Sequence, residues 1–138
     1  MKVLVDTCIW SQSLRRNIYK SNPVVIELIE LIKEVRVQMI GPIRQELLSG
    51  IRSTTQYENL KNRLSAFPDL MIKTQDYEKA AEYYNLACKN GIQGSNTDFL
   101  ICSISNRCNM PIFTVDKDFE LFKNILPIEL YQIRKISE

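Results

Sequence analysis

Asp6, Glu46, Asp98 and Asp116 each stand where an apolar run ends or a helix begins, and none of the 138 residues is a histidine. Without imidazole there is no Ser-His or Cys-His nucleophile, no His-ligated zinc and no histidine general base, so chemistry near neutral pH has to come from carboxylates. Two or more ionised carboxylates in one cleft raise one another's pKa and resist staying charged together, unless a divalent cation neutralises them. Oxygen-only ligation selects Mg²⁺ or Mn²⁺. The acids therefore point to a metal-dependent hydrolase acting on phosphodiesters, provided that the fold gathers them.

The elements that would gather them can be read from periodicity and punctuation. Lys2 to Asp6 is a short, valine-rich apolar run, read as a buried strand of a parallel sheet. Thr7 to Arg16 follows as a helix with Ile9, Trp10 and Leu14 at helical spacing. Pro23 opens a second helix through Glu34, with Val24, Ile26, Leu28, Ile29, Leu31 and Ile32 as a wide apolar face. Val35 to Ile40 reads as a strand, Pro42 to Ile51 as the helix that carries Glu46, Thr54 to Ala66 as a further helix and Leu70 to Lys73 as a weakly patterned strand. Tyr77 to Lys89 is helical, with Ala80, Ala81, Tyr84, Ala87 and Cys88 as the expected buried stripe and Gly91 as its end. Thr97 to Arg107 is a helix, Pro111 to Val115 a strand, Asp116 to Phe122 a short helix and Ile128 to Ile133 a last strand. Strands alternating with helical crossovers imply right-handed βαβ units, hence an α/β protein: a three-layer α/β/α sandwich around a mainly parallel sheet. Ligands of such sheets bind beyond the carboxyl ends of the strands, where Asp6 and Asp116 are expected to project.

Length and composition bound the class. A chain of 138 residues reads as one domain, 1–138, with a single core. Apolar residues at 45% and charged residues at 25% exclude a disordered chain. A net charge of +2 is too mild to announce a nucleic-acid binder. If the acids share one cleft, however, the 18 Lys and Arg residues leave the remaining surface basic, which suits a phosphate backbone running past the site. Cys8, Cys88, Cys102 and Cys108 form no CxxC pair, and three of them lie in apolar helical patterns, where a free thiol is expected to be a small buried hydrophobe. No secretory h-region follows Met1 and no stretch reaches membrane-spanning length, so the expected location is cytoplasmic, with no membrane contact.

Each acid also has an ordinary structural account. Asp6 can cap the helix that follows it, a role worth about 1 kcal/mol. Glu46 lies roughly 60° around its helix from Ile43 and roughly 100° from Leu47, on the flank of the apolar stripe, where a glutamate is usually solvated. Ser95-Asn96-Thr97-Asp98 has the pattern of a capping box. Asp116 and Asp118 suit the first turn of a short helix. What favours chemistry is coincidence: acids from four places in the chain converge on one sheet edge if the α/β reading holds.

Val5-Asp6-Thr7 after the first strand, Glu46-Leu47-Leu48-Ser49-Gly50 with Arg52, Asp98-Phe99-Leu100-Ile101 opening a helix, and Thr114-Val115-Asp116-Lys117-Asp118-Phe119 together resemble the PIN-domain family, specifically its VapC-type toxins. The resemblance runs from Met1 to about Ile133. It implies a PIN-like fold in which Asp6, Glu46, Asp98 and Asp116 hold one or two Mg²⁺ or Mn²⁺ ions and cut single-stranded or looped RNA. It further implies supporting hydroxyls from Thr7 and Thr114, and in Asp118 an acid that some members use as an extra ligand. The chain departs from the family at Cys102-Ser103, where a small Ala-Ala pair is common, and in the polar stretch from Gln93 to Thr97. Arg15, Arg16, Arg44 and Arg52 lie near the expected strand ends and are candidates for RNA phosphate contacts, beside the alternative of a solvated helix face. A small antitoxin partner and a homodimer are implied as well, with Ile9, Trp10 and the apolar excess of Val24 to Ile32 available for interfaces or for the core. Two other classes compete with this endoribonuclease toxin. One is an acid-cluster phosphatase, which usually shows Asp-x-Asp at the first strand where position 8 here is Cys; a receiver-type domain fits poorly, because Lys117 follows Asp116. The other is a PIN-like module that binds RNA or protein without cutting, against which stands the presence of four mutually repelling acids.

Overall fold

A computed structural model describes residues 1–14 and 21–134. Strand β1 (Val3–Val5) is the middle of a three-stranded parallel sheet of order β2-β1-β3, with β2 at Val37–Gln38 and β3 at Ile112–Phe113. Val3, Leu4 and Val5 are all fully buried although they alternate in direction, so both faces of the sheet are covered. The register pairs Val3 with Val37 on one side and Val5 with Phe113 on the other. These parallel pairings bear out the α/β sandwich expected from the alternation of strands and helices.

Beyond each edge the pairing continues for a single bridge. Asp69 lies beside Met39, with the Leu70 N–H donating to Met39 O at 3.0 Å, and Leu130 lies beside Ile112, with the Tyr131 N–H donating to Ile112 O at 2.7 Å. The strands expected at Leu70 to Lys73 and Ile128 to Ile133 are thus reduced to contacts one residue long. Pro68 and Pro127, which have no N–H to offer, sit at the start of these two segments and keep them short.

Helices α1 (Thr7–Ser13), α2 (Pro23–Lys33), α3 (Gly41–Leu48), α4 (Thr54–Leu64), α5 (Thr74–Lys89), α6 (Asn96–Cys108) and α7 (Asp118–Lys123) fill the connections. The end of α2 explains why β2 starts two residues later than expected. The Val35 N–H donates to Ile32 O and the Arg36 N–H to Leu31 O, so these two residues still close the helix, and Val35 takes the left-handed conformation with φ 57°. Helix α6 ends in the same conformation at Asn109, a residue that tolerates it.

Two expected apolar faces are borne out in part: Ala80 and Ala87 on α5 and Leu28 and Leu31 on α2 are buried, and Val24 and Ile32 pack against the core. On α5 the inward residues are Asp76, Ala80, Tyr83 and Ala87, while Ala81, Tyr84 and Cys88 are exposed. Asp76 joins this inward face, its carboxylate meeting Arg107 of α6. On α2 the buried residues are Val25, Glu27, Leu28 and Leu31, and Ile29 is exposed. Glu27 is inside because Tyr131 Oη donates to it at 2.7 Å and the Arg134 guanidinium covers it. Of the cysteines only Cys102 is fully buried; Cys8 and Cys108 are half-buried and Cys88 is exposed, so fewer than the three expected thiols are buried hydrophobes. Ile9 and Trp10 belong to the core, Trp10 donating from Nε1 to Val5 O at 3.2 Å and packing edge-on against Phe67. No helix among the described residues is long and apolar enough to cross a membrane.

Candidate active site

Because the strands are parallel, their carboxyl ends share one edge, and the chain leaves β1 directly into Asp6 and leaves β3 through Thr114 to Asp116. Asp6 is 7% exposed. Its Oδ1 accepts the Thr7 N–H at 2.8 Å at the start of α1, so the helix-capping account holds. Its Oδ2 accepts the Thr114 hydroxyl at 2.8 Å and lies 3.5 Å from the Cys8 thiol. Thr114 Oγ1 in turn accepts the Asp116 N–H at 3.0 Å, and Asp116 Oδ1 accepts the Asp118 N–H at 2.9 Å in a local Asx turn. Asp116 and Asp118 are exposed, and α7 begins only at Asp118.

Asp98 is half-buried at the start of α6, where it completes the expected capping box: Oδ2 accepts the Ser95 N–H at 3.0 Å and the Asp98 N–H donates to Ser95 Oγ at 3.1 Å. Glu46 is exposed on the flank of α3, as its helical phase dictates, between the buried Ile43 and Leu47. Thr7 Oγ1 donates to Glu46 Oε2 at 2.7 Å, tying α3 to the residue that follows Asp6.

Burial pushes the carboxyls of Asp6 and Asp98 above their ordinary range, against the pull of their hydrogen bonds from Thr114 and Ser95. The charge of Asp116 raises both, and that of Asp6 raises Asp98, so Asp6 and Asp98 are each lifted by a neighbouring acid at the sheet edge. Among the described residues no Lys or Arg forms an ion pair with any of the four acids. An excess of negative oxygen donors without a protein counter-charge fits a hard divalent cation. The side chains do not form a closed cage, since no group of three or more acids or thiols among the described residues is placed to hold an ion.

The arginines fare differently from one another. Arg15 and Arg16 lie outside the described residues. Arg44 is not a free cation for phosphate: its guanidinium donates to both carboxylate oxygens of Asp69, to Leu64 O at 2.9 Å and to Phe67 O, fastening α3 to the turn after α4. Arg52 is exposed. Cys8 was not among the expected site residues, yet its sulfur touches Asp6 and Thr114 and accepts the Val115 N–H at 3.5 Å. The only signal for it in the sequence is its place two residues after Asp6, inside the first helical turn.

No family model matches the chain. Among curated proteins it is 26% identical to a VapC ribonuclease of Mycobacterium bovis over 136 residues, 96% of this chain and 99% of that protein. It is equally similar to ribonuclease VapC11 of Mycobacterium tuberculosis, again at 26% identity over 96% of the chain. Among solved structures, FitAcB from Neisseria gonorrhoeae superposes with a TM-score of 0.75 at 19% identity, covering 94% of this chain and 96% of that one. VapBC2 from Rickettsia felis, bound to a DNA fragment from its promoter, superposes with a TM-score of 0.75 at 19% identity, covering 95% and 98%. The structural likenesses establish the PIN-like fold, and the relatives bear out the resemblance to VapC-type proteins read from the motifs.

Proposed function

We propose that this chain is a single-domain, metal-dependent endoribonuclease that hydrolyses RNA phosphodiesters and serves as the toxin of a toxin-antitoxin pair. The observation that carries the reading is the near-full-length similarity to VapC ribonucleases, and the electrostatic influence of Asp116 on Asp6 and Asp98 supports it. Asp6, Asp98 and Asp116 are the proposed ligands of Mg²⁺ or Mn²⁺, with Glu46 as a further ligand or an acceptor for bound water. When bound, the cation lowers the pKa of a water molecule and offsets charge on the leaving oxygen. Thr114 holds Asp6 and the Asp116 loop in a fixed mutual orientation, and Thr7 turns Glu46 toward the same edge. No protein nucleophile is needed. Asp118 stands next to this set, and Arg52 is the described arginine of the four proposed for RNA that remains available to phosphate.

The solved VapBC2 complex supports a cognate antitoxin as partner, and the family resemblance supports a homodimer. The proposed location is cytoplasmic. The test is incubation of a mixed cellular RNA pool with purified, antitoxin-free protein in Mg²⁺ or Mn²⁺, in EDTA, and with a folded Asp6→Asn variant. Cleavage is expected with the metal only, and is lost in the variant. Intact RNA in every lane overturns the reading in favour of the non-cutting module.

A further inference from the structure

Cys8 sits in the middle of the acid edge, and the mechanism above makes no use of it. Its Sγ lies 3.5 Å from Asp6 Oδ2, 3.4 Å from Thr114 Oγ1 and 3.5 Å from the Val115 nitrogen. These partners belong to the two segments that carry Asp6 and Asp116, the start of α1 and the turn after β3. The S–H has Asp6 Oδ2 or Thr114 Oγ1 as its acceptor, and the sulfur takes the Val115 N–H in either case. Sulfur contacts are longer than oxygen ones: Thr114 reaches the same Asp6 oxygen at 2.8 Å. The thiol is therefore both a tie and a spacer between the two segments.

Resting on the reading of Asp6 and Asp116 as metal ligands, we infer that Cys8 is a positioning residue that sets the separation of these two carboxylates, and through it the affinity and size preference of the site for a divalent cation. Mg²⁺ demands oxygens at about 2.0–2.1 Å in near-ideal octahedral geometry, while Ca²⁺ accepts about 2.3–2.6 Å in looser shells, so a change in carboxylate spacing shifts the ratio between them. A hydroxyl at position 8 forms shorter contacts than the thiol and draws the segments together; an alanine removes the tie.

The test is Mn²⁺ binding by the purified protein, read from the paramagnetic resonance signal of free Mn²⁺, with Mg²⁺ and Ca²⁺ as competitors and thermal unfolding as the check on folding. Cys8→Ala is expected to weaken Mn²⁺ by about 10-fold or more, the loss usual when a group that orients a ligand is removed. Cys8→Ser is expected to retain affinity and to shift competition toward Mg²⁺ over Ca²⁺. Cys88→Ala, on the exposed face of α5, leaves both unchanged. A folded Cys8→Ala protein that binds Mn²⁺ within twofold of the wild type overturns the inference. If that variant does not fold, an unchanged Mg²⁺ to Ca²⁺ ratio in Cys8→Ser overturns it instead. Wild-type protein that binds Mn²⁺ but cuts no RNA defeats the nuclease reading and leaves the Cys8 result to stand on its own; wild-type protein that binds no divalent cation overturns both.

Discussion

Arg107→Ala strands a carboxylate that the fold has closed over. The Asp76 side chain is 2% exposed and receives Arg107 Nε at 2.6 Å, Arg107 Nη2 at 2.8 Å and the Lys73 N–H at 2.9 Å. Burial alone pushes the Asp76 carboxyl up, but the guanidinium and the Lys73 N–H outweigh it and hold the group below its ordinary value. Breaking such a pair from one side costs about 3–5 kcal/mol, because the remaining charge stays buried. Against a total of about 5–15 kcal/mol that is a large share of stability, and it translates into a Tm lower by roughly 10–17 °C for a chain of this size. The sign of the pH dependence is fixed by the same groups. In the wild type Asp76 contributes stability that is fully present above its unfolded value of 3.8 and is lost as pH falls through its lower folded value. In the variant burial prevails and the folded value rises, so the ionised form is the destabilising one. The deficit is then greatest at neutral pH and shrinks on acidification. Urea unfolding of both proteins from pH 4 to pH 7 measures it, and Asp76→Asn in the Arg107→Ala background should recover much of the loss. A deficit under about 1 kcal/mol at neutral pH, or one that does not vary with pH, refutes this account of the pair.

Val35→Gly should raise stability by about 1 kcal/mol in denaturant unfolding, since Val35 occupies the left-handed region that costs a branched residue about 1–2 kcal/mol, and its side chain is exposed. Gly94→Ala should lower stability by about 1–3 kcal/mol in the same assay, because its new Cβ would meet the Phe122 and Phe99 rings at 2.7 Å and 2.8 Å. Arg44→Gln should lower Tm, each lost bond of the charged guanidinium being worth about 1.5–3 kcal/mol, while RNA affinity measured by filter binding stays the same; weaker RNA binding from a protein of unchanged Tm would return Arg44 to the substrate. The raised carboxyl of Asp98 destabilises the fold as pH rises through its folded value, so in EDTA at neutral pH Asp98→Asn, which can still accept the Ser95 N–H, should melt higher than the wild type and gain less from added Mn²⁺. An equal Mn²⁺ gain in both proteins counts against Asp98 as a ligand.

The parallel sheet and the edge that carries the candidate site were legible because β1 is short, wholly apolar and followed at once by a helix. Asp6, Asp98 and Asp116 were legible as residues standing at element ends, whereas Glu46 lies within α3. What the sequence concealed was tertiary. Asp76 can join the inward face of α5 because Arg107 of α6 meets it there. Glu27 is buried on α2 for the same kind of reason, its partners lying about a hundred residues away at Tyr131 and Arg134. Arg44 looked available because a sequence shows charge but not the carbonyls of Leu64 and Phe67 that absorb it. The outer strands are one bridge long at Asp69 and Leu130, a shortening that Pro68 and Pro127 do signal in the sequence.

The structural and chemical accounts of the acids, which compete when only residue types are known, are compatible once atoms are assigned. Asp98 engages only Oδ2 in its capping box, Asp116 only Oδ1 in its Asx turn and Glu46 only Oε2 with Thr7, among the described residues. A carboxylate has about four acceptor positions, so each keeps most of its capacity while one hydrogen bond fixes its direction. Asp6 differs, for both its oxygens are engaged, and its Oδ2 is the atom on which Thr114 and Cys8 converge. Capping and turn formation are therefore the means by which short-range sequence holds Asp98 and Asp116 open, while Glu46 is held by Thr7 across 39 residues and Asp6 by Thr114 across 108 in addition to its own cap. On this view the cost of crowding them is carried by Asp6 and Asp98, the two acids whose burial lifts them from their ordinary range, and a bound cation is what would relieve it.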